Sequence, residues 1–307
     1  MQSVLNTIIS LFAVIVLGWW TRSRGLLPEN VVSPLNRLVF YLAIPAMLFR
    51  EIAGASFHAY FDPLLVLGTL LPPVIVFFAA LGVGRLFRLT PERWGTFVQT
   101  SIHGNLGYMG LAVAFYALGK EGFARAGLLA SFLILAQNFL AIVALQSLAG
   151  DTEKRWNLIF FLKTLLANPI VLTSLGAIAF SLAGLHLPGV VDRTLKILSG
   201  MALPLALLLI GASLSLSPSM GGISLVGAIS FLKLVLQPAL GWMLFGLFDL
   251  DGACILPGII LLASPTATLS YVLAGEMGGD PSLASTAISV TTPVSGLTFV
   301  GWLVLLR

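Results

Sequence analysis

Charge is what this chain has least of. Acidic and basic residues together make up 9% of its 307 residues, against 58% hydrophobic residues and a mean hydropathy of +1.03. No water-soluble domain of this length sustains such a balance, so the solvent of the fold is a bilayer. The single cysteine, Cys254, excludes an internal disulfide framework and any multi-cysteine metal site. Histidines number three, His58, His103 and His186, with no HExxH and no paired-aspartate run beside them. Hydrolytic, transferase and metal chemistries need convergent acids, histidines or an activated nucleophile, so no enzyme, cofactor or metal site is expected. GASLS at 211–215 superficially resembles a serine nucleophile motif, but small residues are ordinary packing residues between membrane helices. Acids are also missing from the centres of the apolar runs, Glu51 and Glu276 lying at run ends. A carboxylate-centred proton or sodium site of the usual antiporter type is therefore not expected. The longest polar stretch, GDTEKRWN at 150–157, leaves no room for a soluble domain. The net charge of +4 fits cytoplasmic loop charges and excludes nucleic acid as a partner, since nucleic-acid binding needs clustered basic stripes.

What is present is apolar sequence cut into span-sized pieces. A transmembrane helix needs about 20 mostly apolar residues. Charges, prolines and glycine clusters divide the chain into ten such pieces, near 3–20, 36–55, 63–87, 95–118, 123–149, 158–181, 189–214, 220–248, 253–275 and 281–306. The first is a span and not a signal peptide, because no basic residue precedes it and Trp19, Trp20, Arg22 and Arg24 follow as an interfacial anchor. Loops after odd-numbered spans carry Arg22, Arg24, Arg85, Arg88, Arg93, Lys154 and Arg155, with Arg37 at the adjoining helix start. The opposite side carries Arg50, Lys120, Arg125, Arg193, Lys196 and Arg307. This bias places the first set in the cytoplasm and both termini outside.

Two stretches break the rules of a membrane helix. HGNLGYMG runs from His103 to Gly110 and SPTATLSY from Ser264 to Tyr271, with Asn105 and Ser264 separated by 159 residues. Pro45 and Pro204, each inside an apolar run, are also 159 apart, as are Arg37 and Lys196. Ten spans with one repeat step give two five-span halves, 1–150 and 151–307. An odd number per half inserts the copies in opposite senses, an inverted repeat. Interrupted segments at matching positions of two halves point to the binding site of a secondary transporter. Gly104, Gly107 and Gly110 free the first backbone from helical geometry. Pro265 removes a donor from the second, while Thr266, Thr268 and Ser270 can satisfy freed groups. If the breaks meet at the midplane, their half-helix N-termini favour an anion; the alternative is a pair of kinks sealed by neighbours.

Other polar residues inside the runs have two readings each. Lys233 lies near the middle of the eighth span, with Gln237 on the same face four residues on. A cation there costs on the order of 3 kcal/mol unless it faces protein or water. Lys233 either holds a substrate carboxylate, pairs with a carboxylate such as Glu51, or reaches the surface on a tilted helix. Lys163 lies near a span end and snorkels. His103 suits a proton-coupled step, or is a hydrogen-bonded structural group. Gln99, Gln137, Asn138 and Asn168 line a cavity or bond between helices.

LNRLVFYLAIPAMLFREIA (35–53), GNLGYMGLAVAFYALG (104–119), LANPIVLTSLGAIAF with LPGVVDRTLKILSGMALPLALLLIGASLS (166–215) and ASPTATLSYVLAGEMGGDPSLASTAISVTTPVS (263–295) resemble the auxin efflux carrier family over nearly the whole chain. The resemblance implies an all-α integral membrane fold of ten transmembrane helices, a five-plus-five inverted repeat with crossing broken helices four and nine, similar to NhaA and the bile-acid carriers. It implies a scaffold of spans 1, 2, 6 and 7, often a homodimer contact, and a moving transport unit of spans 3–5 and 8–10. Asn105 matches the family's crossover asparagine and Pro265 its crossover proline. Leu111 stands where the family often has proline, and the large cytosolic loop of the plant carriers is missing.

These readings converge on a bacterial inner-membrane carrier of a small organic anion, a mono- or dicarboxylate, with possible proton coupling. The expected anion site comprises His103, Asn105, Gly107, Tyr108, Ser264, Pro265, Thr266 and Thr268, with Lys233 and Gln237 nearby and hinges at Pro45 and Pro204. Two rivals are a sodium-coupled bile-acid-like symporter and a non-transporting sensor or scaffold of the same fold.

Overall fold

A computed structural model describes residues 2–54, 61–148, 168–214, 223–250 and 252–306. His58, Lys154, Arg155, Lys163, Ser215, the polar stretch 150–157 and the first part of the sixth predicted span lie outside the described residues.

Helix α1 (Gln2–Ser23) is followed by α2 (Glu29–Ala53) and α3 (Pro63–Leu86). Next come α4 (Pro91–Ile102) and α5 (Leu106–Leu148). The second half holds α6 (Pro169–Leu182), α7 (Gly189–Ala212), α8 (Ser224–Leu247), α9 (Gly252–Leu262), α10 (Leu269–Glu276) and α11 (Pro281–Leu305). Among the described residues seven helices are long and apolar enough to cross a membrane: α1, α2, α3, α5, α7, α8 and α11. Among those residues the fold is all-helical apart from one isolated backbone bridge between Gly104 and Thr266.

Local sequence sets the helix starts. Asp62, Asn168 and Asp280 each precede a proline, and each side chain accepts hydrogen bonds from amides of the first turn. Proline fits there because its missing donor is one the helix leaves unpaired in any case. Helix α2 begins at Glu29, seven residues before the sequence-predicted span, because Glu29–Leu38 is a polar, amphipathic first part that apolar run length does not register. Helix α5 has 43 residues, or about 65 Å at 1.5 Å each, twice the hydrocarbon thickness of about 30 Å. Gly119, at φ 71° and ψ −164°, breaks it into two legs. Helix α4, about 18 Å long at its 12 residues, is too short to cross alone.

Prolines inside the spans are accommodated by widened turns. Val39–Ala43 and Leu232–Leu236 are π-helical, immediately upstream of Pro45 and Pro238. A proline lacks its amide and crowds the carbonyl four residues back, and a π turn relieves that crowding. The carbonyl of Leu234, left without the Pro238 donor, accepts instead from the Trp302 indole at 3.1 Å. The two expected hinges both stand at the start of a helical segment: Pro45 in Ile44–Ala53, and Pro204 in Ala202–Ala212 after a break at Gly200 and Met201.

Backbone at positive φ recurs with a fixed step. Gly25 (74°) and Gly184 (63°) end α1 and α6, Arg88 (51°) and Asp249 (55°) end α3 and α8, and Gly119 (71°) and Gly278 (74°) end the first leg of α5 and α10. The steps are 159, 161 and 159 residues, close to the step between the paired prolines. Left-handed caps of this kind close helix C-termini, so the two halves stop their helices in the same order.

Helices α1 and α7 touch backbone to backbone. A Cβ on Gly18 would collide with the Leu208 carbonyl, and one on Gly211 with the Ile15 carbonyl. Close approach through small residues is how membrane helices gain packing without a hydrophobic drive. Replacing Gly211 with Val should therefore lower stability by about 1–3 kcal/mol, read as a lower unfolding temperature in detergent. At Gly227 an added methyl would meet no heavy atom within 4 Å. Gly227→Ala should accordingly unfold at or slightly above the parent temperature; equal behaviour of the two variants would remove the contact.

Candidate functional site

Helix α4 stops at Ile102, and α9 stops at Leu262. The chain then runs extended, His103 at φ −83° and ψ 100°, before α5 opens with the π turn Leu106–Gly110. The two extended stretches lie antiparallel and bond to each other. The Asn105 amide donates to the Pro265 carbonyl at 2.7 Å, and the Ala267 amide donates to the His103 carbonyl at 2.8 Å. Each break supplies partners that the other has lost, which is what a non-aqueous surrounding demands.

Side chains complete the pairing. Gln137 of α5 accepts from the Gly104 amide at 3.0 Å. Thr266 donates from its hydroxyl to the Thr100 carbonyl at 3.0 Å, while its amide donates to the Thr291 hydroxyl at 3.1 Å. Ser264 donates to the Ile260 carbonyl at 3.0 Å. Glycine is needed for this approach: a Cβ on Gly110 would stand 2.7 Å from the Ser264 hydroxyl oxygen.

A cavity of about 680 Å³ opens against the paired breaks. From the first break it is bordered by His103, Asn105, Gly107 and Tyr108, and from the second by Thr268, Leu269 and Tyr271. The facing wall comes from Asn36, Arg37 and Tyr41 of α2, from Asn168 and Ile170 at the start of α6, and from Leu209, Ile210 and Ser213 at the end of α7. Gln137 and Asn138 of α5 add amides. Two charged residues border it. Glu29 is paired with Arg22, whereas Arg37 is exposed and has no carboxylate partner among the described residues. The first-turn amides of Leu106, Met109, Gly110, Ser270 and Tyr271 bond carbonyls at the breaks, while those of Gly107, Tyr108 and Leu269 find no acceptor among the described residues, so the cavity adjoins these few donors and one cation.

Five of the ten expected binding residues therefore border the cavity: His103, Asn105, Gly107, Tyr108 and Thr268. Ser264, Pro265 and Thr266 are buried behind it; Pro265 and Thr266 hold the breaks together, while Ser264 caps the end of α9. Lys233 is 0% exposed and does not border the cavity; its ammonium donates to the Leu262 carbonyl at 2.8 Å. Glu51, one expected partner for Lys233, is instead bound to Arg50 at 2.7 Å, and Arg50 also bonds Asp192 at 2.8 Å. Gln237 is buried on the same helix, away from the cavity, with neither amide atom bonded to protein. The Tyr108 hydroxyl donates to the Asn36 carbonyl at 3.2 Å, and His103 Nδ1 lies 3.4 Å from the Ser270 hydroxyl. Gln137, Asn138 and Asn168 line the cavity, with Gln137 and Asn168 also bonding backbone amides, while Gln99 sits behind against the Ser270 carbonyl. Arg37 carries no site role in the sequence reading; its repeat partner Lys196 and its place eight residues before Pro45 are its only signals there.

With Cys254 replaced by Ser, single cysteines test this wall. Asn105→Cys, Tyr108→Cys and Thr268→Cys should react with a membrane-impermeant thiol reagent from one side. Thr266→Cys and Ser264→Cys should stay unreactive; labelling of the second pair at the rate of the first would displace the cavity from the breaks.

The profile of the membrane transport protein family matches residues 3–303. The chain is 26% identical to a Rhizobium meliloti (strain 1021) protein named "Putative malonate transporter", across 100% of this chain and 97% of that one. It is 26% identical to an uncharacterized transporter of Methanocaldococcus jannaschii, covering 98% of this chain and 99% of the relative. An uncharacterized transporter of Escherichia coli (strain K12) is 24% identical over 94% of this chain and 96% of its own length. The chain belongs to the membrane transport protein family, that of the auxin efflux carriers, as its motifs led one to expect.

Proposed function

We propose that this protein is a secondary carrier that moves a small organic anion across the inner membrane by alternating access. The observation that carries the reading is the cavity itself, which brings Arg37 and the amides of Gly107, Tyr108 and Leu269 around one volume of about 680 Å³. Oriented amides and one unpaired cation attract a carboxylate, while Leu209, Ile210 and Ile170 provide apolar wall. The named function of the Rhizobium relative favours a short dicarboxylate such as malonate.

The architecture proposed for this carrier is a ten-crossing inverted repeat. Its support is the recurrence of left-handed caps and of the two paired breaks at steps near 159 residues. In this reading α1, α2, α6 and α7 form the scaffold, and the remaining helices form the transport unit. One apolar cluster, including Val76, Phe97, Leu140, Ile229 and Leu283, is built wholly from α3, α4, α5, α8 and α11 and suits a unit that moves as one body. The dense cations of the α3–α4 loop favour a cytoplasmic position there, with both termini outside.

Flux into proteoliposomes loaded with and without counter-anion tests the reading. Arg37→Gln and Asn105→Ala should each lower malonate flux about tenfold, equivalent to ~1.4 kcal/mol of lost stabilisation. Unchanged flux of every accepted mono- and dicarboxylate in both variants would sink the site.

A further inference from the structure

Lys233 is a fully buried cation that the cavity leaves unused. It lies in the π-helical turn Leu232–Leu236, is 0% exposed, and has no carboxylate partner among the described residues. A buried ammonium needs compensation, because desolvation of an unpaired charge is costly.

The compensation comes from helix ends. A helix C-terminus leaves four carbonyls without intrahelical donors and carries partial negative charge. For α9 the four can be followed one by one. Ile259 accepts from the Ala263 amide at 2.8 Å, Leu261 from the Ser264 amide at 3.2 Å, and Ile260 from the Ser264 hydroxyl at 3.0 Å. The last, Leu262, accepts from Lys233 Nζ at 2.8 Å. The same ammonium also lies against the extended stretch that follows α4: a Cβ built on Gly104 would stand 3.2 Å from Nζ and 3.3 Å from Cε. The cation thus sits between the C-terminal end of α9 and the extended stretch that follows α4, and it does not border the cavity. Carbonyl ends of this kind are what coordinate a free cation in carriers with discontinuous helices.

We propose that Lys233 is a tethered internal cation. It fills the place where the negative end of α9, facing the first break, would otherwise call for an alkali ion, so the carrier turns over without sodium. The proposal rests on the carrier reading for its last step only; the occupancy of the site by a cation is a property of the protein without substrate. Lys233 acts as a positioning residue, holding α9 against the first break so that both walls of the cavity keep their places.

The test separates the two readings. Thermal unfolding of purified protein in sodium chloride or choline chloride, with no anion added, reports on the cation site. Wild type should unfold at one temperature in both salts. Lys233→Ala should unfold lower in choline and recover by several degrees in sodium, which binds at the vacated Leu262 carbonyl and stabilises by mass action. In proteoliposomes wild-type flux should be equal in the two salts. Lys233→Met, which fills the volume without the charge, should lose at least tenfold in both, and Lys233→Arg should retain more flux than Lys233→Met. Wild-type flux that falls when choline replaces sodium would overturn the proposal, as would a Lys233→Ala protein indifferent to the salt. If Lys233→Ala does not fold, equal flux of the Met and Arg variants overturns it. A wild type that no small carboxylate stabilises counts against the carrier reading alone and leaves the sodium comparison intact.

Discussion

Every feature of this molecule depends on one constraint, that backbone amides and carbonyls inside a bilayer must find partners within the protein. A broken helix violates that constraint wherever it opens. Two breaks placed face to face satisfy it together, through the Asn105–Pro265 and His103–Ala267 bonds. The glycines, the threonine hydroxyls and Gln137 then serve the same end, either permitting the approach or capping what remains. The few amides beside the breaks that stay unpaired, those of Gly107, Tyr108 and Leu269, border the cavity.

Much of this was legible in the sequence because it is written in residue types with fixed physical habits. Charges and polar stretches marked the ends of the apolar runs, and glycine and proline clusters marked both breaks. The capping part of Thr266 was legible too, since a hydroxyl beside an opened helix has few other partners, although the sequence also assigned it to the anion site that it stands behind. The widened turns before Pro45 and Pro238 were not, because a π turn has no residue type of its own. Nor was the beginning of α2 at Glu29, whose polar first part has the composition of a loop.

The site divided along the same line. Asn105, Gly107 and Tyr108 could be read from a local motif, because the motif itself opens the backbone there. Arg37 and Lys233 could not be sorted by sequence, because both are lone cations and only the packing distinguishes them. Arg37 lies on the open wall of the cavity; Lys233 lies behind the breaks, where the carbonyl of Leu262 claims it. A cation near the middle of a span reads as the obvious anion holder, yet mid-span position says nothing about which side of a break it faces.

The hydrogen bonds between the two extended stretches have a mechanical consequence. They knit α4, α5, α9 and α10 at one seam, so His103, Asn105 and Thr268 form a single rigid jaw. A vise with one solid jaw opens only by displacing the other. The opposing jaw is Arg37 with Asn168 and Leu209, carried by α2, α6 and α7, whose own stiffness comes from the glycine contact between α1 and α7. In the proposed carrier, the grip on a ligand would be set by how these two bodies slide past each other, with neither half of the breaks refolding.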